Sequence, residues 1–166
     1  MIVADTSILS TFARIQRVEL LFAVAETDSL YLAPAVIKEL KGGLQKSLNF
    51  LQPIIHDLAG GTRFYAVDLT PDEKSLTNTL PSSLNAGERE SIALCLKRIG
   101  SKLLTNDKRA HNYCKANHIP SLDLKLVLRQ LWKSNHCTKE EVCSLMEEIE
   151  KNEPGMFIKG KDEILR

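Results

Sequence analysis

Short apolar segments alternate with helical patterns over most of the chain, and this alternation constrains the fold more than any other feature. Each apolar segment has the length of a buried strand and is bounded by turn or capping residues. Strands are predicted at residues 2–4, 29–33, 63–67, 102–106 and, more briefly, 119–121. Repeated strand–helix units favour a three-layer α/β/α fold with a mainly parallel sheet of four to five strands.

Prolines, glycines and capping residues mark where the helices begin and end. Pro34 suits the first position of a helix, and Gly42-Gly43 is predicted to end that helix. Pro53 is predicted to kink or split the next helical stretch. Capping boxes predict further helix starts at Thr70 and Thr138.

The C-terminal part of the chain shows helical patterns only. Amphipathic helices are predicted at residues 122–134 and 138–151. Trp132 is expected to make a core or helix–helix contact rather than to stack on a nucleic-acid base. The short apolar segment Met156-Phe157-Ile158 is predicted either to pack back on the domain or to contact a partner or a second copy.

Charge and hydropathy argue against a global basic surface and against a membrane span. The chain has 22 basic and 21 acidic residues, so any nucleic-acid binding must be local. No stretch approaches the roughly 18 apolar residues of a membrane-spanning helix. We therefore expect a cytoplasmic protein without a membrane partner.

Four cysteines are present, and no two of them form a CxxC pair. Reduced thiols are the favoured interpretation, because disulfides are rare inside cells. A zinc site formed by Cys137, Cys143 and His136 is the alternative, although the usual close pair of cysteines is missing.

Four acids occupy comparable places in the predicted strand–helix units. Asp5 follows the first strand, and Asp107 lies where the fourth strand becomes a helix. Glu39 lies on the helix after the second strand, and Glu88 lies in the first turn of the middle helix. In a parallel sheet, strand ends and helix starts of this kind share one edge, where ligands bind. The four carboxylates are therefore predicted to converge on one pocket.

Each acid also has a simpler structural interpretation. Asp5 and Asp107 have the positions of helix N-caps, and Glu88 has capping-box spacing from Asn85. Glu39 is predicted to lie in the last turn of its helix, where the charge of an acid opposes the helix macrodipole. Helix capping therefore does not explain an acid at this position. A solvated glutamate between two lysines is the alternative for Glu39. Thr6 is assigned to local turn chemistry.

Carboxylates that do meet in one pocket require a cation or a proton. Two carboxylates about 4 Å apart repel each other by around 4 kcal/mol at an effective dielectric constant near 20. A set of oxygen ligands without histidine or cysteine suits Mg²⁺ or Mn²⁺ better than zinc. Such an ion activates water and stabilises the charge that forms on phosphate during hydrolysis. The acids therefore indicate a phosphodiester substrate.

The same segments carry a resemblance to the ordered motifs of PIN-domain nucleases. They are residues 2–7, the helix that contains Glu39, residues 85–93 and residues 103–110. The Gly-Glu-Arg-Glu and Thr-Asn-Asp-Lys-Arg-Ala stretches are the most specific of them. The resemblance implies an endoribonuclease that depends on Mg²⁺ or Mn²⁺, often the toxin of a toxin–antitoxin pair (VapC-like). It further implies an RNA substrate, with an antitoxin and a homodimer as candidate partners.

The resemblance also implies roles for individual residues and a division of the chain. The acidic set would be Asp5, Glu39, Glu88 and Asp107, with Asp5, Glu88 and Asp107 as metal ligands. Ser7 and Thr105 would be supporting hydroxyls, and Glu90 a substitute for Glu88. The nuclease domain would comprise residues 1–121, with a helical extension, residues 122–166, packed on it. This extension exceeds the compact toxin pattern and resembles that of longer PIN-domain proteins.

Basic residues near the acids are candidates for contact with the RNA backbone, although solvated helix faces also explain them. The candidates nearest to the acids in sequence are Arg89, Lys108, Arg109 and His111, and Arg63 or Lys46 could line a rim. His111 is expected to be a surface residue rather than a general base.

Two other functions remain compatible with these residues. One is a non-catalytic PIN-fold subunit that binds RNA or regulates a complex. The other is a phosphatase-like domain in which Asp5 is the nucleophile. That chemistry requires a lysine at the end of a later strand, whereas Lys102 lies at a strand start.

Overall fold

A five-stranded parallel sheet lies at the centre of the computed structural model, which describes residues 1–166. The strand order is β3-β2-β1-β4-β5, and all four pairings are parallel. The strands are β1 (Ile2–Ala4), β2 (Leu30–Leu32), β3 (Phe64–Ala66), β4 (Lys102–Leu104) and β5 (Ser121–Leu122). The chain begins in the central strand and winds outward on both sides, so a switch point lies between β1 and β4. The predicted α/β fold with a parallel sheet flanked by helices is confirmed.

Ten α-helices and one short 3-10 helix surround the sheet. The first five are α1 (Thr6–Arg14), α2 (Glu19–Ala25), α3 (Pro34–Gln45), α4 (Gln52–Gly60) and α5 (Pro71–Thr77), with the 3-10 helix at Asn49–Leu51 before α4. The others are α6 (Ala86–Lys97), α7 (Lys108–Ala116), α8 (Leu124–Lys133), α9 (Lys139–Asn152) and α10 (Lys161–Ile164). Helix α10 has only four residues and was not predicted. No helix is long and apolar enough to cross a membrane.

Local capping determines where several helices begin, as the sequence predicts. The boxes that start at Thr70, Asn85 and Thr138 each contain both reciprocal hydrogen bonds. Pro34 lies in the first turn of α3, and Pro53 lies in the first turn of α4. Pro53 thus separates α4 from the preceding 3-10 helix, which confirms the predicted split.

The predicted end of α3 at Gly42-Gly43 is wrong, because the helix continues to Gln45. A Cβ atom on Gly43 would lie 2.6 Å from the Leu51 Cδ1 atom, so this glycine makes room for the 3-10 helix to pack against α3. Glu39 consequently lies in the middle of α3 rather than in its last turn. The expected opposition to the helix macrodipole therefore does not apply to it.

The C-terminal helices share the apolar core of the sheet. A single cluster of 40 buried apolar residues includes Val127 and Leu131 of α8 and Val142 and Ile149 of α9. The indole N–H of Trp132 donates a hydrogen bond to the Ile164 carbonyl at 2.6 Å, which confirms the predicted packing role. The division into residues 1–121 and 122–166 stays a prediction.

Candidate functional site

Asp5 lies directly after the central strand, at the carboxyl edge of the sheet, and is only 2% exposed. Its Oδ1 atom accepts hydrogen bonds from the Ile8 N–H at 3.1 Å and from the Ser7 hydroxyl at 2.7 Å. Its Oδ2 atom accepts a hydrogen bond from the Thr105 hydroxyl. Burial raises the pKa of Asp5 from 3.8 to about 6, although these hydrogen bonds favour the charged form. Asp5 is both the N-cap of α1 and a buried carboxylate that ionises reluctantly.

The two supporting hydroxyls connect the end of β1 to the segment after β4. Ser7 accepts a hydrogen bond from the Asn106 N–H at 2.8 Å while donating to Asp5. Thr105 accepts one from the Asp107 N–H at 3.0 Å while also donating to Asp5. Oδ1 of Asp5 is therefore oriented by Ser7 of α1, which Asn106 in turn holds, and Oδ2 is oriented by Thr105, which follows β4.

Glu88 lies in the first turn of α6 and is 4% exposed. Its two carboxylate oxygens accept hydrogen bonds from Asn85, at 3.0 Å from the backbone N–H and 2.9 Å from the side-chain amide. Burial raises the pKa of Glu88, and the negative charges of Asp107 and Asp5 act in the same direction. The capping-box interpretation is thus confirmed, and the same carboxylate lies within electrostatic range of the other acids.

Asp107 is the N-cap of α7, and its Oδ1 atom accepts hydrogen bonds from the N–H groups of Arg109 and Ala110 at 2.8 and 3.0 Å. Burial opposes ionisation of Asp107. The backbone hydrogen bond from Ala110 and the contacts with Arg109 nevertheless hold its pKa below the usual range. Asp107 therefore ionises more readily than Asp5 or Glu88.

Arg109 bridges two of the acids. Its Nη2 atom lies 3.3 Å from Asp107 Oδ2 and 3.9 Å from Glu88 Oε1, and 59% of its side chain is exposed. The guanidinium therefore occupies the position of a cation shared by two carboxylates. The sequence predicts that Arg109 contacts RNA, and nothing in it indicates a contact with the acids.

Glu39 approaches the site from α3 through two contacts that the sequence did not reveal. The Thr6 hydroxyl donates a hydrogen bond to Glu39 Oε2, so the assignment of Thr6 to local turn chemistry is wrong. A Cβ atom on Gly87 would lie 3.0 and 3.1 Å from the two carboxylate oxygens of Glu39. The absence of a side chain at Gly87 therefore lets this carboxylate lie against the start of α6. The only sequence signal was the glycine directly before Glu88.

Glu90 has a separate contact. Its Oε2 atom accepts a hydrogen bond from the Ala35 N–H at 2.7 Å, in the first turn of α3. Helix α3 has no side-chain cap of its own, so Glu90 supplies the missing acceptor from α6. Its carboxylate joins two helices, and the geometry favours Glu88 over Glu90 as the member of the acidic group.

The basic candidates lie in different environments. Lys108 is exposed and lines a cavity beside Asp107, whereas Arg89 is half-buried. His111 Nδ1 lies 3.1 Å from the Ser121 hydroxyl, within hydrogen-bonding distance. Arg63 donates to Asp57 at 2.8 Å.

The acids lie close enough for their charges to interact, but their side chains do not form a ready-made set of metal ligands. No group of three or more Asp, Glu, His or Cys side chains is arranged to hold a metal ion directly. The donor chemistry nevertheless fits Mg²⁺ or Mn²⁺, because all of the donors are carboxylate oxygens. The alternative zinc site is not supported: Cys137 and Cys143 are free thiols and form no cluster with His136.

A family model, DUF3368, described as a PIN domain, matches residues 1–162. The match covers nearly the whole chain, and the protein therefore belongs to the PIN-domain family. PIN domains have a nuclease-type fold, are generally nucleases and typically use divalent metals. The match includes α8 and α9, so the C-terminal helices are part of what the family model describes. No curated protein matches the chain.

Proposed function

We propose that this protein is an endoribonuclease that hydrolyses RNA phosphodiester bonds with Mg²⁺ or Mn²⁺ in the cytoplasm. The observation that carries the proposal is the meeting of Asp5, Glu88 and Asp107 at the carboxyl edge of a parallel sheet. Three different elements supply these acids; the charge of Asp107 raises the pKa of both Asp5 and Glu88, and the charge of Asp5 raises that of Glu88. Membership of the PIN-domain family supports the same chemistry.

Asp5, Glu88 and Asp107 would hold the ion, and Glu39 would bind it as well or orient the attacking water. A bound divalent ion would supply an activated water and neutralise charge on the phosphate. Ser7 and Thr105 keep both oxygens of Asp5 directed, so that little reorganisation is required on binding. The Thr6 hydroxyl likewise directs one carboxylate oxygen of Glu39, Oε2.

The site would have two states, which differ in whether Arg109 or a divalent ion neutralises Asp107 and Glu88. Without a bound cation, Arg109 neutralises part of the charge on Asp107 and Glu88. A divalent ion at those carboxylates would compete with the guanidinium, which would then be free to contact an RNA phosphate together with Lys108. Guanidinium groups bind phosphate oxygens in a bidentate manner, which suits that role. Arg89 would contribute from α6.

A decisive test replaces Asp5 with Asn and measures Mn²⁺-dependent cleavage of a single-stranded RNA. Asn caps a helix as well as Asp does, so Asp5→Asn keeps the local structure and removes the charge. We expect cleavage to be lost, whereas Asp28→Asn, a change at an exposed acid, leaves it intact. Undiminished cleavage by the Asp5→Asn protein would overturn the proposal.

A non-catalytic RNA-binding or regulatory subunit is the second candidate, and one observation favours it. The acids do not form a ready ligand cluster, and an arginine already bridges two of them. Titration of Mn²⁺ into the protein, followed by comparison of RNA binding with RNA cleavage, separates the candidates. RNA binding without Mn²⁺ binding or cleavage supports this second function.

The toxin role that the family resemblance implies requires its own test. The chain is produced in a bacterial host with and without the product of the neighbouring gene. Growth arrest that this product relieves supports a toxin with an antitoxin partner, and normal growth contradicts it. Sedimentation of the purified chain tests the proposed homodimer.

A further inference from the structure

A cavity of about 340 Å³ lies next to the segment that contains Asp107, between the end of β4 and the C-terminal segment. Asn106 and Lys108, the neighbours of Asp107 in sequence, line one side of it. Residues 156–159, which follow α9, line the other side. The volume is within the range of small-ligand sites, roughly 300–1,000 Å³. The cavity therefore extends the candidate active site towards the C-terminal helices.

The charge of this cavity is positive although the whole chain is nearly neutral. Lys108, Lys125 and Lys159 line it, are exposed and form no ion pair. The single acid among the lining residues is Asp123, whose Oδ1 atom accepts a hydrogen bond from the Leu126 N–H at 2.9 Å as the cap of α8. Three lysines against one acid favour a ligand that carries several negative charges.

Phe157 presents an aromatic ring to solvent at this cavity, with 71% of the residue exposed. The backbone beside it is held in place: Ile158 is 4% exposed, and its N–H donates to Glu150 Oε1 at 2.8 Å. Lys161 pairs with the other oxygen of Glu150 at 2.6 Å. The ring is thus displayed by an anchored segment, which resembles the aromatic platforms on which unstacked bases bind.

Hydrogen bonds tie the segment that carries Phe157 to the acids. Glu153 accepts a hydrogen bond from the Thr11 hydroxyl at 2.8 Å. Thr11 in turn accepts one from the Asn106 side-chain amide at 3.2 Å. Asn106 directly precedes Asp107, so the position of the aromatic ring is coupled to the edge of the acidic site.

We propose that this cavity binds a nucleotide of single-stranded RNA next to the cleaved phosphodiester. The base stacks on Phe157, and the neighbouring phosphates contact Lys108, Lys125 and Lys159. Because it names RNA as the ligand, the inference rests on the proposed function and adds a preference for unpaired RNA. Lysine is depleted at protein–protein interfaces, which argues against a second copy of the chain as the occupant.

The test measures binding of a fluorescein-labelled 12-nucleotide single-stranded RNA by anisotropy, with EDTA present to prevent cleavage. Loss of one stacked base is worth about 1–3 kcal/mol, so Phe157→Ala should weaken binding roughly 5- to 150-fold. Phe157→Trp should retain binding. Ile99→Ala, at an exposed apolar residue before β4, is the matched control and should change nothing.

The phosphate contacts have a separate readout. Lys125→Ala and Lys159→Ala should each reduce the slope of log K against log salt by about 0.7, the value for one phosphate contact on a single strand. Lys133→Ala, which lies outside the cavity, should leave the slope unchanged. Unchanged RNA affinity in Phe157→Ala, or an unchanged slope in both lysine variants, would overturn the inference.

Failure of the inference and failure of the proposed function have different signatures. If wild-type protein cleaves RNA and Phe157→Ala binds as tightly as wild type, the inference fails and the function stands. If binding depends on Phe157 but no divalent ion supports cleavage, the nucleotide site stands and the nuclease function fails. If Phe157→Ala instead converts a dimer to a monomer in sedimentation, with unchanged RNA binding, the cavity is an interface between copies and the inference is overturned.

Discussion

Asp5 and Glu73 expose the same small fraction of their surface, each 2%, yet their pKa values shift in opposite directions, because Asp5 lies deep in the fold and Glu73 lies near its surface beside a cation. Hydrogen bonds from Arg98 lower the pKa of Glu73 to about 2, with Nε 2.7 Å from Oε1 and Nη2 3.0 Å from Oε2. Burial raises the pKa of Asp5 to about 6. Glu73 has its own cation within the fold, whereas Asp5 is surrounded by hydroxyls and other acids.

This difference separates a structural carboxylate from a candidate functional one. The pair of Glu73 and Arg98 joins α5 to the end of α6, and Arg98 also donates to the Asp68 carbonyl at 2.9 Å. Arg109 contacts Asp107 and Glu88 but is not paired with Asp5. A buried acid without a counter-ion destabilises the fold, and such groups concentrate at functional sites. The bound divalent ion we propose would supply the missing charge.

The largest expected effect is on catalysis. Asp5→Asn should reduce the rate of Mn²⁺-dependent RNA cleavage by at least about 10²-fold, because the loss of one electrostatic partner of a transition state costs a few kcal/mol. The same change should not lower the melting temperature measured in EDTA, because it removes a buried charge. A large drop in melting temperature would mean that Asp5 is primarily structural.

Arg98→Ala should have the largest effect on stability. It leaves Glu73 without its cation, and the loss of the charge-assisted hydrogen bonds should cost about 1.5–3 kcal/mol of the free energy of unfolding. Urea denaturation measures the loss. The double variant Glu73→Gln/Arg98→Ala is the control and should recover part of it, since no unpaired charge remains. Equal losses in the single and double variants would contradict the pairing.

The pH dependence of stability should differ between the two carboxylates. Folded Asp5 binds its proton more tightly than the unfolded chain does, so its destabilising effect at pH 7 disappears as the pH falls through about 6 towards 3.8. Folded Glu73 binds its proton less tightly, so its stabilisation is present above pH 4.5 and is lost as the pH falls towards about 2.

Urea denaturation in EDTA at pH 7, 5 and 3 measures both contributions. The free energy of unfolding of Asp5→Asn should exceed that of wild type most at pH 7, and the difference should disappear by pH 3. The free energy of unfolding of Glu73→Gln should fall below that of wild type most at pH 7 and 5, and the difference should be smaller at pH 3. Parallel pH profiles for the three proteins would show that the opposite pKa shifts have no effect on folding.

The smallest expected effect concerns Arg109. Arg109→Gln removes the positive charge that competes for Asp107 and Glu88, so Mn²⁺ should bind roughly two- to five-fold more tightly, as expected for an exposed pair. Calorimetric titration of Mn²⁺ measures the change. Arg89→Gln is the matched control on α6, because Arg89 contacts none of the acids. Weaker Mn²⁺ binding in Arg109→Gln would show that the arginine organises the acids rather than competing for them.

Much of the fold could be predicted from local signals. Apolar runs revealed the strands, and three-residue spacing revealed the capping boxes at Thr70, Asn85 and Thr138. The end of α3 was mispredicted, because Gly43 supports packing by Leu51 rather than a helix end. A glycine that ends a helix and one that admits a distant side chain look the same in sequence.

The sequence by itself determined the order of the strand–helix units and thus the edge to which Asp5 and Asp107 belong, because parallel strands end on one side of a sheet. Only the tertiary structure decided which side chains meet there. The hydrogen bond from Thr6 to Glu39 and the bridge from Arg109 to Glu88 join residues that are distant in the chain. Burial and the placement of cations, which set the opposite pKa shifts of Asp5 and Glu73, exist only after the chain has packed.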